Sequence, residues 1–146
     1  MSPRAALLDA VMACLVQIRI ADGYATDSGA LATTELDQIE PDAAASLSTF
    51  VLRQARATEP ALVRTHRLTE VGIAIKVPTG LSDAQARMDA AIGDVEHAMD
   101  PATARPRFAV GTAFPQYVEM RPLTPEEGTK GWIGALLVYQ THIPIK

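Results

Sequence analysis

Residues 63–77 read VRTHRLTEVGIAIKV, and their alternation decides the fold. Val71, Ile73, Ile75 and Val77 fall on one side of an extended chain, while Glu70, Gly72, Ala74 and Lys76 fall on the other. A period of two marks a strand, and this one exceeds the usual run of about five or six residues. Its early part is polar on both sides, with Arg64, His66 and Arg67. The hairpin to which it belongs is therefore expected to reach beyond the core, into solvent or against a neighbour.

Upstream, Ser46–Ala55 alternates through Phe50, Val51 and Leu52 and reads as the partner strand, with a turn over 57–61 containing Pro60. Downstream, Pro78-Thr79-Gly80 breaks the strand. Ser82 with Gln85 fits a capping box, and Leu81 stands where a hydrophobic staple begins. Met88, Ile92, Val95 and Met99 then repeat at helical spacing, predicting a helix from about Asp83 to Met99 that Asp100-Pro101 ends. Its outward face reads as acidic, with Asp83, Asp89, Asp94 and Glu96 against Arg87.

The N-terminus opens with a second helix signal, Ser2 as cap and Pro3 at the first helical position. Leu8, Val11, Met12, Leu15 and Ile18 form its apolar stripe, which predicts a helix from Pro3 to about Ile20, closed by Gly23 in left-handed geometry. Residues 26–45 read as a long connection with a possible short strand over Ala30–Leu36. At the other end, Phe108–Met120 reads as a strand with Pro115 as an edge, bulge or break. Residues 122–131 form a polar turn region. Trp132–Ile143, apolar on both sides as far as Tyr139, reads as a central strand or one shared between core and partner. The expected architecture is α+β: a four- to five-stranded, mainly antiparallel sheet with two helices packed on one face and a long β-hairpin, in one domain spanning 1–146.

Composition narrows the function classes. The chain has 146 residues, a net charge of −4 and 48% hydrophobic residues. Those are globular values, and an acidic balance disfavours a general nucleic-acid binder. The lone Cys14 excludes an internal disulfide framework and lies in a helical pattern, where it reads as packing. No signal peptide or membrane-length apolar run is read, so a cytoplasmic site of synthesis is expected. His66, His97 and His142 share no metal-ligand spacing. Neither Asp22 with Asp27 nor Glu126-Glu127 has the setting of a catalytic carboxylate pair. No nucleophile elbow, P-loop or dinucleotide fingerprint occurs. No catalytic, cofactor or metal residues are therefore assigned.

One charge pattern stands out. Residues 35–42 hold Glu35, Asp37, Glu40 and Asp42 with no base, whereas residues 53–67 hold Arg53, Arg56, Arg64 and Arg67 against Glu59. These are either two solvated loops or complementary patches that meet between identical subunits. A head-to-tail contact of the second kind closes a ring when its rotation permits, and opposite charges would set its register.

Gly23-Tyr24-Ala25-Thr26-Asp27, directly after an N-terminal helix, resembles the start of tail terminator (tail completion) proteins of long-tailed bacteriophages. The order helix, long β-hairpin, helix and two antiparallel strands is similar to that family over nearly the whole chain, and the closing strand with Tyr139 fits it. The resemblance implies a non-enzymatic structural protein of the virion. Such proteins form a hexameric ring on the head-proximal end of the tail tube, stop tube polymerisation and provide the head-tail joining surface. It further implies partners: other copies of the chain, the major tail tube protein, and a head-completion or connector protein. DNA would pass through the lumen without specific binding, and no cofactor or membrane would be involved. Assembly would take place in the host cytoplasm. Other readings are another connector or stopper protein of the virion, a cellular assembly subunit, or a small ligand-binding or enzymatic α+β domain.

Overall fold

The computed structural model describes residues 1–34, 45–79, 83–103, 108–123 and 131–146. Helix α1 (Pro3–Leu15) is followed by strand β1 (Ser46–Arg56), strand β2 (His66–Pro78), helix α2 (Ala84–Ala98), strand β3 (Gln116–Leu123) and strand β4 (Trp132–Pro144). The described strands make one four-stranded antiparallel sheet in the order β1-β2-β4-β3. The strands with the longest apolar runs, β2 and β4, are thus central, with apolar side chains buried on both faces of the sheet. They pair along their whole length, from His66 opposite Pro144 to Pro78 opposite Trp132. The long hairpin joins β1 to β2 from Ser46 opposite Lys76 out to Arg56 opposite Arg67.

Both helices lie on the same face of the sheet. Leu7, Val11, Cys14, Leu15 and Ile18 from the first, and Ala91, Val95, Ala98 and Met99 from the second, close over Leu47, Ile73, Ile75 and Leu137. Each fully buried aliphatic side chain in such a cluster contributes about 1.5–3 kcal/mol relative to exposure. The opposite face carries a smaller cluster built from strands, with Ala74, Leu136 and Val138 buried and Phe50, Leu52 and Leu123 half-buried around them. Phe50 lies across Gly72, where a Cβ would come within 2.9 Å of its ring.

Several boundaries differ from the sequence reading. The α-helix stops at Leu15, because the next amides bond one residue short: Gln17 N to Cys14 O at 3.4 Å and Ile18 N to Leu15 O at 3.1 Å. The apolar stripe nevertheless runs on to buried Ile18, and it is rotated by about one residue, with Leu7 and Cys14 inside where Leu8 and Met12 were expected. Gly23 is left-handed, at φ +93°, but it closes a separate 3-10 turn at Ile20–Asp22. In the described part of Ala30–Leu36, a 3-10 turn spans Ser28–Leu31 and Thr33 makes an isolated bridge to Ser48, while residues 35 and 36 lie outside the described residues. Residues 108–115 are not strand: Gly111 turns the chain at φ +87°, Phe108 stacks edge-on against Phe114, and β3 begins only after Pro115. Pro122 falls within β3, which tolerates it as an edge strand. The capping box at Ser82, the staple at Leu81, and Glu126 and Glu127 lie outside the described residues.

Candidate functional site: the arginine end of the hairpin

The structure places Arg53, Arg56, Arg64 and Arg67 in different settings, and a β-bulge is the cause. Register along β1 shifts between Val51 and Arg53. Simple alternation would put Arg53 on the side of Leu47 and Val51, with Arg56 opposite. The extra residue reverses that. Arg53 now pairs with Glu70 across the hairpin, 3.8 Å away, on the face without helices. Arg56 is turned to the helix-bearing face, directly across from Arg67. Arg64 is exposed in the turn that follows the Pro60–Leu62 3-10 segment. Arg67 donates through Nη1 to the carbonyl oxygen of its neighbour His66 at 3.1 Å. Glu35, Asp37, Glu40 and Asp42 lie outside the described residues.

Arg56 and Arg67 flank a groove of about 630 Å³ under the first turn of α1. Arg4 joins them there and donates through Nη1 to the Gln54 side-chain oxygen at 3.2 Å. Val63, Ile143 and Pro144 supply an apolar floor. No acidic residue lines the groove among the described residues. Arg4 was not legible as a member of this group, because no sequence spacing links the start of the first helix to the tip of a hairpin 50 residues away.

A second polar cluster pins the Gly23–Asp27 element. Asp94 of α2 was read as part of an exposed acidic face, but it is buried, at 6% exposure. Its two oxygens accept from Ala25 N at 3.0 Å, Thr26 N at 2.8 Å and the Thr26 hydroxyl at 2.6 Å. A buried carboxylate is tolerable only with such donors. Ser28 Oγ lies 2.9 Å from Thr26 Oγ1 and extends the network. Asp27 accepts from Ile20 N at 2.8 Å, and Tyr24 stacks edge-on against His97. The sequence signal for Asp94 was present but weak: it immediately precedes Val95 on the inward side of the helix. These bonds hold a crossing segment in place.

The remaining histidines hold loops. His66 donates Nε2–H to Gly111 O at 3.1 Å, which leaves Nδ1 to accept from the Thr65 hydroxyl at 2.7 Å. His142 Nε2 accepts from Thr58 N at 3.2 Å. Among the described residues no group of three His, Cys, Asp or Glu could hold a metal ion, and no helix is long and apolar enough to cross a membrane. Burial pushes the Cys14 thiol up to about 11. Burial first, then Glu96, Tyr117 and Asp100, pushes the Tyr139 phenol upward as well.

The far edge of the sheet is apolar and open. On β3, Tyr117, Val118 and Met120 are each 41–50% exposed, and Glu119 pairs with Arg121 at 3.2 Å on the opposite face. No family model matches the chain, and no curated protein matches its sequence.

Proposed function

We propose that the chain is a structural protein that assembles into a ring of identical copies and caps the head-proximal end of a phage tail tube. It would end tube growth and present the surface that joins head to tail. The observation that carries the reading is a pair of unlike surfaces at opposite ends of one sheet order. A basic groove lies on the β1–β2 side and an exposed apolar edge strand, β3, lies on the other. A head-to-tail contact needs two such surfaces, since each copy offers one to the neighbour on its left and the other to the neighbour on its right. The order of elements and the Gly23–Asp27 segment, which resemble tail terminators, support the reading of that assembly as a tail cap.

The test is a mass measurement with negative-stain imaging, on the protein alone and mixed with major tail tube protein. Rings in either condition are expected, and charge reversal at Arg56 and Arg67 should return them to monomers. A monomer in both conditions sinks the reading. Capture by a portal or adaptor protein in preference to tube protein would reassign the chain to another head-tail connector.

A further inference from the structure

We propose that the groove beneath the N-terminus of α1 is a binding site for the carboxylates of an acidic peptide segment, with Arg4, Arg56 and Arg67 as its cationic contacts. The site gives one surface of the ring a chemistry, and it depends on the ring reading only for where the peptide comes from.

A cost is left standing in the fold. Arg56 and Arg67 are direct cross-strand partners on the same face of the sheet. Like charges so placed destabilise a hairpin. Neither has an ion-pair partner among the described residues, whereas Arg53, Arg87 and Arg121 each do. The bulge at Val51–Arg53 creates this opposition, since without it Arg56 would point to the other face. A bound carboxylate would turn the repulsion into attraction.

The donors are of the kind that suits a carboxylate. A guanidinium offers paired N–H groups that match a carboxylate in bidentate geometry. Of the first-turn backbone donors, Pro3 has no N–H and the Ala5 amide is already held by Ser2 Oγ at 3.1 Å, which leaves the Arg4 amide beside the guanidinium groups. The arginines therefore carry the recognition. Val63, Ile143 and Pro144 beneath them shield one side of the groove from water, which strengthens charge pairing there. At about 630 Å³ the groove takes a few side chains of an extended peptide.

The basic charge is also confined. A nucleic-acid surface needs a continuous basic stripe. Here Arg53 is turned to the opposite face and paired with Glu70, and the whole chain carries −4. The chain also contains a suitable sequence in Glu35, Asp37, Glu40 and Asp42, which a second copy could supply.

The experiment is fluorescence anisotropy with four labelled probes: a peptide of residues 34–43, an unrelated Glu-rich peptide, the first peptide with every acid replaced by its amide, and oligo-dT. The acidic peptides should bind at low salt, and the amide version about tenfold more weakly or not at all. Arg4→Gln, Arg56→Gln and Arg67→Gln should each weaken binding severalfold, while Arg53→Gln and Arg64→Gln leave it unchanged. Circular dichroism controls for folding, and Arg56→Gln should melt no lower than the parent because it removes the like-charge pair. Tighter binding of the 34–43 peptide than of the Glu-rich one assigns the source to a second copy, and equal binding assigns it to another acidic protein. Equal binding of the amide peptide or of oligo-dT overturns the proposal. So does equal weakening by Arg53→Gln and Arg64→Gln, which would show a diffuse field in place of a site. Peptide binding by a protein that never forms rings leaves the groove standing and removes the ring. Rings that persist in variants that have lost the peptide leave the ring standing and remove the groove's part in it.

Discussion

Asp94, Thr49 and Cys14 each make a claim that one substitution checks. Asp94 is the acceptor for three donors of the crossing segment. Asp94→Ala orphans buried N–H groups, so it should cost about 3 kcal/mol and lower the melting temperature by roughly 10 °C. Thr49 is fully buried, and its hydroxyl has no partner among the described residues. Thr49→Val keeps the shape and removes the unmet polar atom. It should stabilise by about 1 kcal/mol, read as a higher denaturant midpoint at unchanged slope. For Cys14 the sign runs one way. The unfolded thiol loses its proton near 9, while the folded one holds it to about 11. Between those values the native state binds more protons, so stability falls as pH rises. Cys14→Ala should flatten the pH dependence of unfolding from about 9 to 11, leaving the later decline from Tyr139. A thiol reagent should label Cys14 only after unfolding.

At the scale of elements, close approach separates two glycines that the sequence cannot tell apart. A Cβ at Gly29 would overlap the Leu15 carbonyl oxygen and come within 2.9 Å of Ile18 backbone atoms. The Ser28–Leu31 turn packs there against the frayed end of α1, so Gly29→Ala should cost roughly 2 kcal/mol or more. Gly93 lies mid-helix in α2 with nothing within 4 Å of an added Cβ. Gly93→Ala should stabilise by about 0.5–1 kcal/mol. Thermal melts of the two variants should move in opposite directions. The strongly periodic elements β2, β4 and α2 were readable to within one to three residues, because burial enforces their pattern. Phe108 and Phe114 misled the reading of β3: their apolar bulk serves an edge-to-face contact across a turn, which from sequence resembles a strand.

For the whole molecule, the ring reading predicts that the exposed edge strand matters to assembly and not to folding. Met120 is 45% exposed on β3. Met120→Glu should leave monomer stability within about 0.5 kcal/mol while abolishing rings in sedimentation velocity; rings that survive it place the contact elsewhere. By itself the sequence determined the class of fold, a mainly antiparallel sheet with a long hairpin, covered on one face by two amphipathic helices, because hydrophobic periodicity is a local record of which side faces the core. It also determined that four arginines crowd the hairpin end. Which of them meet was decided only in three dimensions. One extra residue at Val51–Arg53 reverses the side on which every later side chain of β1 emerges. That inversion carries Arg53 to the face without helices and Arg56 to the helix-bearing face, sets Arg56 against Arg67, and brings both beneath Arg4. A bulge is a property of strand pairing and leaves no reliable mark in composition or spacing. The groove it builds therefore became visible only once β1 lay against β2 and α1 had closed over their end.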